Sequence, residues 1–379
     1  MCKHIPVFTV LLFIVFTSFA QSEKSATDLY KEGLALSKGG NCKDAIEKYK
    51  AAIAKKPDYA DALYETGWCY NELEEYDNAA TYLDKAKRYA PGVSKIYFEL
   101  AYANDNDDKK DDAIINYKKV LELDPHYADA AKNLGDIYYS NKDYEHATEY
   151  FKKYIDDSKD VDNIYYYRIG WSFNDLGKYE DAANYLEKYE PETDEYKAKK
   201  WAELGYAHYK SKNYEIAILD YSTALDTKPD YGTAIRGIAD CYYDKEDYDN
   251  ALKYYLQAIE TDEENSKSCY YHIGWIYNDQ ENYEDAIDVL QKAVDYDDKD
   301  ASNREELGYA YYMTEKYDDA LHQLNKAIEL DENSKLGYYY KGLCYLALND
   351  KEDAKLVYEK LKTVDEEQAE KLLKKINGE

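Results

Sequence analysis

Three short patterns hold the side chains best suited to binding chemistry. Each has a Tyr, then a Trp four residues on and an Asn three residues after that: Tyr64, Trp68 and Asn71; Tyr167, Trp171 and Asn174; Tyr271, Trp275 and Asn278. Further tyrosines lie between them, at Tyr102, Tyr206 and Tyr309. Trp and Tyr offer large, rigid contact area, and an Asn amide can both donate to and accept from an extended backbone. This chemistry suits a bound peptide, or a sugar chain stacked on flat rings.

Residues that commonly carry catalysis are scattered. The histidines beyond the first twenty residues each stand alone, at His126, His146, His208, His272 and His322, with no HExxH motif and no evident triad. The acidic run at 105–108 lacks the Gly and Glu that an EF-hand loop needs. We therefore expect no enzyme activity, no metal site and no cofactor.

The binding patterns belong to a sequence unit that recurs every 34 or 35 residues. Counting its first residue as position 1, ten repeats begin at Ala26, Ala60, Ser94, Ala128, Asn163, Ala198, Gly232, Lys267, Ala301 and Lys335. Position 8 is always Gly or Ala, position 20 is always Ala, and position 24 is large and apolar or aromatic. Small residues at 8 and 20 would let two helices approach closely, with the large residue filling the space around the contact.

This pattern resembles the tetratricopeptide repeat (TPR) family, from Ala26 to about Gln368. The resemblance implies an all-α fold, a right-handed α-solenoid (superhelix) of helix-turn-helix units. It also implies a protein-interaction function, because TPR proteins usually bind ligands along the concave groove of the superhelix. The segment 369–379 is expected to form a capping helix, as terminal repeats of solenoids require.

Helical periodicity separates two stripes on the first helix of each repeat. At about 100° per residue, positions 4, 7, 8 and 11 share the packing face, while positions 2, 5, 9 and 12 share a second face. The Tyr, Trp and Asn patterns fall on this second face, here called the aromatic stripe. In TPR proteins it lines the groove, so we predict these twelve residues as the binding groove. Sideways packing of the rings against the next repeat is the structural alternative.

The sequence also has a longer period, which spans three of the 34- or 35-residue repeats. The tryptophans of the patterns are 103 and 104 residues apart, and the sequence ELAYA or ELGYA follows each of them in the next repeat. The array is thus interpreted as three blocks of three repeats, beginning near Ala60, Asn163 and Lys267, behind one leading repeat.

The N-terminus predicts export. Residues 1–20 combine an early Lys3, an apolar run and the sequence Ser18-Phe19-Ala20, which is typical of a cleavable signal peptide. The apolar run from Ile5 is shorter than the roughly 20 residues of a membrane span, although an uncleaved anchor is the alternative. Residues 21–25 are then a short leading segment, and 26–368 the repeat array.

Charge and cysteine content complete the prediction. The net charge is −29, and becomes −30 without residues 1–20, which hold Lys3 and no acid. Such a chain repels nucleic acid and anionic lipid. The acidic residues are interpreted as a solubilising surface, with attraction of basic partners as the alternative. Five cysteines lie beyond residue 20, at Cys42, Cys69, Cys241, Cys269 and Cys344. The three at position 10 (Cys69, Cys241 and Cys344) are predicted to be packing residues, with a Cys241–Cys269 bridge as the alternative.

These observations favour an exported scaffold of the bacterial envelope, periplasmic or extracellular, that binds a peptide or a partner protein of basic character. No stable membrane insertion is expected after signal cleavage. A carbohydrate-associated module that uses the Trp and Tyr rings is the alternative, and a structural spacer is a third.

Overall fold

The computed structural model describes residues 24–378, and the predicted signal peptide lies outside them. The described residues form α-helices and no strands. Contacts group them into two compact bodies, an N-terminal body of residues 24–142 and 153–159 and a C-terminal body of residues 143–152 and 160–378. Within 24–378, no helix combines the length and the apolar content needed to cross a membrane.

Helices of the N-terminal body are α1 (Ala26–Lys38), α2 (Cys42–Lys55), α3 (Ala60–Glu72), α4 (Tyr76–Tyr89), α5 (Ser94–Asn106), α6 (Lys110–Leu123) and α7 (Ala128–Ser140). The boundary between the bodies falls inside α8 (Tyr144–Asp157).

Helices of the C-terminal body are α9 (Ile164–Asp175), α10 (Tyr179–Lys188), α11 (Asp194–Lys210), α12 (Tyr214–Thr227), α13 (Gly232–Asp244), α14 (Tyr248–Thr261), α15 (Glu263–Ser266), α16 (Cys269–Asp279), α17 (Tyr283–Tyr296), α18 (Ala301–Met313), α19 (Tyr317–Leu330), α20 (Lys335–Ala347), α21 (Lys351–Val364) and α22 (Glu366–Asn377).

Within each body, consecutive helices pair as the repeats predict, for example α1 with α2, α3 with α4, α11 with α12 and α20 with α21. The first helix of a repeat also contacts the first helix of the next, as α3 does with α5, α9 with α11 and α16 with α18. The predicted all-α solenoid of helix-turn-helix units is therefore confirmed. The first helices, which carry the aromatic stripe, lie side by side in these contacts.

The predicted packing columns explain how each helix pair closes. A Cβ added at Gly67 would lie 2.4 Å from Leu83 Cγ, and one at Gly274 would lie 2.3 Å from Leu290 Cγ. Both contacts join position 8 to position 24 of one repeat, at distances that a Cβ cannot occupy. Position 20 is Ala in every repeat, and all ten of these alanines are 0 % exposed.

Every repeat turns between its helices in the same conformation. Position 15 has a positive φ in all ten repeats, and only Gly40 and Gly177 are glycines there. This left-handed residue lets the next N–H reach back to a first-helix carbonyl, as Glu75 N does to Tyr70 O at 2.9 Å. The turn thus satisfies a carbonyl that the helix end would otherwise leave free.

Some boundaries differ from the regular period. Helix α11 begins at Asp194, four residues before the predicted repeat start, because Thr193 after the Pro191 link caps it through a bond from Tyr196 N. The short α15 precedes α16, which begins at Cys269. The terminal α22 covers most of the predicted cap, and Leu372 fills the space beside Gly342.

All five cysteines within the described residues are free and buried. The structure therefore supports the packing role predicted for Cys69, Cys241 and Cys344 and forms no Cys241–Cys269 bridge.

Candidate functional site

The aromatic rings of the predicted groove lie at the surface of the first helices. None of the nine Tyr and Trp rings is fully buried, and Tyr102 and Tyr206 are the most open, at 38 % and 37 % exposed. The three asparagines differ, since Asn71, Asn174 and Asn278 are only 4–5 % exposed. The predicted stripe thus consists of accessible rings beside buried amides.

Each predicted tryptophan lines a cavity. The Trp68 pocket, in the N-terminal body, measures about 260 Å³ and includes Tyr64. The Trp171 pocket measures about 510 Å³ and includes Asn174 and Tyr206.

The Trp275 pocket measures about 310 Å³ and includes Asn278 and Tyr309. The structure therefore brings together the Trp, the Asn and the next repeat's Tyr in two of the three blocks.

The Trp171 and Trp275 pockets are copies of one arrangement. Six lining positions correspond one block apart: Trp171 and Trp275, Asn174 and Asn278, Asp175 and Asp279, Tyr179 and Tyr283, Glu203 and Glu306, Tyr206 and Tyr309. The block period detected in the sequence therefore has a physical counterpart in repeated cavities.

Tyrosines at the start of the second helices hold the groove rings in place. Tyr144 meets Trp171 edge-on with ring centroids 5.1 Å apart, and Tyr248 meets Trp275 at the same distance. Tyr179 contacts Tyr206 in a T-shaped pair at 6.1 Å. The Trp171 and Trp275 rings thus pack against the second helix of the preceding repeat and also line cavities. Ligand binding by these rings stays a prediction.

Two predicted tyrosines have other surroundings. Tyr167 packs against Tyr189, with centroids 5.4 Å apart, and is not among the residues that line the Trp171 pocket. Tyr271 meets the His272 ring at 5.4 Å and does not line the Trp275 pocket. In the first block, Tyr64 lies under the Lys95 ammonium at 4.1 Å.

The asparagine amides have partners within the fold. Asn278 Nδ2 donates to both the backbone oxygen of Glu306 at 3.1 Å and its carboxylate Oε2 at 2.9 Å. Asn174 binds Glu203 in the same way at 3.0 and 2.8 Å.

Asn71 repeats the arrangement in the first block, donating to Glu99 at 3.0 and 2.9 Å. Each bridge joins the first helices of neighbouring repeats. The donors that we predicted for a bound backbone are therefore already used inside the protein.

Burial sets the acidity of these glutamates. Burial raises the pKa of Glu99, Glu203 and Glu306, and the hydrogen bond from the Asn partly opposes this by favouring the charged form. The amide Oδ1 atoms of all three asparagines are buried and accept no hydrogen bond from the described residues. Each block thus carries one half-buried carboxylate and one unsatisfied acceptor, and in the second and third blocks both line the pocket of the Trp.

The Trp171 pocket also contains a polar cluster from α13. Arg236 and Asp240 line it, and Tyr255 donates its hydroxyl to Asp240 Oδ1 at 2.7 Å. Burial is the largest influence on Asp240 and raises its carboxyl pKa, while Arg236 and the Tyr255 hydrogen bond lower it. This pocket therefore carries its own cation and anion.

Sequence analysis missed the glutamate partners of the asparagines. Glu99, Glu203 and Glu306 begin the ELAYA and ELGYA sequences, so their block period was visible, but no role followed from it.

Comparison with known families identifies the fold. Models described as tetratricopeptide repeat match residues 30–94, 98–162, 165–190, 230–299, 304–334 and 337–364, more than half of the chain. The chain therefore belongs to the tetratricopeptide repeat family, and its architecture is that of a protein-interaction scaffold.

Curated relatives share its repeats at low identity. A TPR repeat-containing protein of Methanocaldococcus jannaschii is 24 % identical over 289 residues, which cover 74 % of this chain and 46 % of that protein. The small glutamine-rich tetratricopeptide repeat-containing protein 2 of Saccharomyces cerevisiae is 27 % identical over 143 residues, or 38 % of this chain and 41 % of the relative. The chain spans less than half the length of these relatives.

Solved structures show similar helix pairs. YrrB, a TPR protein with an unusual peptide-binding site, aligns at 24 % identity with a TM-score of 0.45, covering 47 % of this chain and 92 % of YrrB. A chain of the Naa15/Naa10 complex bound to HypK-THB aligns at 14 % identity with a TM-score of 0.48, covering 90 % of this chain and 63 % of that one.

Proposed function

We propose that the protein is an exported adaptor that holds an extended segment of a partner protein along its aromatic stripe. The observation that carries this proposal is the pair of corresponding cavities at Trp171 and Trp275, in which a half-buried Trp and the next repeat's Tyr border a common space. Rigid aromatic side chains in a cavity are typical anchors of protein recognition. The proposal assigns binding, and no catalysis, to the chain.

The expected partner is basic. The chain without residues 1–20 carries a net charge of −30, and carboxylates line all three tryptophan pockets, among them Glu65, Asp175 and Glu306. Complementary charge speeds encounter and excludes acidic competitors. Raising the ionic strength should therefore lower the association rate constant, with a smaller effect on the dissociation rate constant.

Export is the second part of the proposal, and it rests on residues 1–20 alone. Fractionation of cells that produce the tagged chain should place it in the periplasm or the medium. Its mass should be that of a chain that begins at Gln21. Recovery from the cytoplasm with Met1 still present would contradict this part and leave the binding proposal standing.

The binding test is affinity capture from bacterial envelope extract. The full chain is compared with a triple Trp68/Trp171/Trp275→Ala variant, after circular dichroism shows equal helix content in both. We expect one or more proteins that the triple variant loses.

A matched control removes three exposed apolar side chains from the second helices instead. Ile115, Leu219 and Leu356 are 64–66 % exposed, and their triple Ala variant should keep the captured protein. Equal capture by the tryptophan variant would contradict the groove proposal. Capture of polysaccharide, competed by soluble sugars, would favour the carbohydrate alternative.

A further inference from the structure

The Trp275 pocket differs from its counterpart in charge. Four of its lining residues are acidic, at Asp279, Glu281, Glu305 and Glu306, and none is Lys, Arg or His. Lys210 and Arg236 line the Trp171 pocket. One cavity therefore contains cations of its own, whereas the acidic side chains of the other have no cation among the residues that line it.

Aromatic rings form the other walls of the Trp275 pocket. Trp275, Tyr283, Tyr309 and Tyr340 line it. The Tyr283 and Tyr309 rings are 5.9 Å apart at 88°, and Tyr309 and Tyr340 are 4.8 Å apart at 47°. Aromatic rings attract organic cations through their π faces, so a cavity lined by four rings suits such a cation.

Several sequence differences create this contrast. Position 5 of the repeat after the Trp is Glu305 here and Ala202 in the preceding block, and position 6 of the following repeat is Tyr340 here and Gly237 there.

Glu281 is also an added carboxylate, because the preceding block has Gly177 there, and Lys210 and Arg236 of that block correspond to Met313 and Tyr339. Two added carboxylates, one added ring and the loss of two cations thus convert the shared arrangement into an acidic aromatic cage.

Polar groups in the cage lack a full set of partners. Asn278 is 4 % exposed, and its Oδ1 accepts no hydrogen bond from the described residues. Glu306 accepts from Asn278, and Glu305 from the Ser334 hydroxyl. Burial is the largest influence on both glutamates and raises their carboxyl pKa values. A cation bound beside them would stabilise their charged forms.

We propose that the Trp275 pocket binds the side chain of a lysine or arginine in an extended segment of the partner protein. At about 310 Å³ it is at the small end of ligand cavities. Leu336, which is 42 % exposed, lines the cavity and would contact the aliphatic stem. This inference rests on the proposed function, because it names the partner chemistry of one part of the stripe.

The test uses the full chain and blocked pentapeptides of the form Gly-Gly-X-Gly-Gly, where X is Lys, Arg, norleucine or Glu. Binding is followed by NMR titration. Lys or Arg peptides should bind about tenfold or more tighter than norleucine, which has the same stem without the charge. Equal binding of norleucine, or binding of neither cationic peptide at about 10 mM, would overturn the proposal. Free cadaverine binding more tightly than the Lys peptide would overturn its assignment to a protein side chain.

A matched pair of variants locates the site. Asp279 and Asp175 occupy the same position one block apart, and both are exposed. Asp279→Asn should weaken binding of the Lys peptide several-fold and leave binding of the norleucine peptide unchanged, whereas Asp175→Asn should change the affinity of neither peptide. Equal effects of the two variants would refute the assignment to the Trp275 pocket. Glu305→Gln should likewise weaken binding of the Lys peptide and leave binding of the norleucine peptide unchanged.

The outcomes separate this inference from the proposed function. If a partner is captured through the tryptophans but Lys and norleucine bind equally, only the cation cage is wrong. If the Lys preference holds but the triple tryptophan variant captures the same proteins, the groove adaptor is wrong and the cage stands.

Discussion

The Asn278–Glu306 bridge makes the sharpest prediction about stability. We expect Asn278→Ala to destabilise the contact between α16 and α18. The variant removes a hydrogen bond of 2.9 Å to a carboxylate and one of 3.1 Å to a carbonyl. Bonds to charged groups contribute roughly 1.5–3 kcal/mol and neutral ones roughly 0.5–1.5.

One term opposes this loss. The Asn278 Oδ1 atom is buried and has no hydrogen-bond partner among the described residues. Removing such an atom relieves a desolvation penalty and so stabilises the fold by about 1–3 kcal/mol. The midpoints of these ranges leave an expected net cost of Asn278→Ala at neutral pH of about 1 kcal/mol.

The cost should depend on pH. Burial raises the folded-state pKa of Glu306 above its unfolded value, so the stability linked to its neutral form is present at low pH and is lost as pH rises through the folded pKa. Asn278 opposes that loss because its bond favours the charged form. At pH 4.5 more of the carboxyl is neutral, and the cost of Asn278→Ala should fall by about 1 kcal/mol.

Native-state hydrogen exchange read by mass spectrometry is the suitable assay, because it reports each helix separately. The opening free energies of α16 and α18 are measured for variant and wild type at pH 7.5 and 4.5. The difference between variant and wild type at each pH cancels the contribution of other titrating groups. Glu306→Gln is the control, since it removes the charge and keeps an acceptor for Asn278. It should weaken the pH dependence and cost less than Asn278→Ala at pH 7.5. A loss under about 0.5 kcal/mol at pH 7.5, or one that is equal at both pH values, would refute the reasoning.

Other predictions address the repeat itself. Gly274→Ala should cost about 1–3 kcal/mol in urea unfolding, because the new Cβ would lie 2.3 Å from Leu290 Cγ, whereas Gly92→Ala, with nothing within 4 Å, should cost nothing measurable. Glu246→Gly should raise the unfolding free energy by about 0.5–1 kcal/mol, since Glu246 has a φ of 61°, and a loss of stability would contradict that. Leu372→Ala in the buried face of α22 should cost about 2–5 kcal/mol and speed hydrogen exchange in α20 and α21 but not in α1–α6.

Much of the fold was predictable because each repeat encodes it locally. The spacing of Gly67 and Leu83 within one repeat predicts a close helix pair, and the structure places them in direct contact. Helical geometry also places Trp171 and Tyr206 on one stripe, and both line one cavity. The left-handed turn at position 15 had no sequence signal, because only two of its ten residues are glycines.

The sequence by itself therefore determined the repeats, the helix pairs and the face that carries the aromatic rings, since those depend on periods of 3.6 and 34 residues within one chain segment. Only the tertiary structure decided that Asn278 donates to Glu306, 28 residues away, instead of to a ligand. It also decided that Glu305 and Tyr340, from two further repeats, complete the Trp275 pocket. The physical reason is that helical periodicity specifies the direction of a side chain around its own axis. The offset between neighbouring helices, which selects the facing residues, is set by the packing of one repeat on the next.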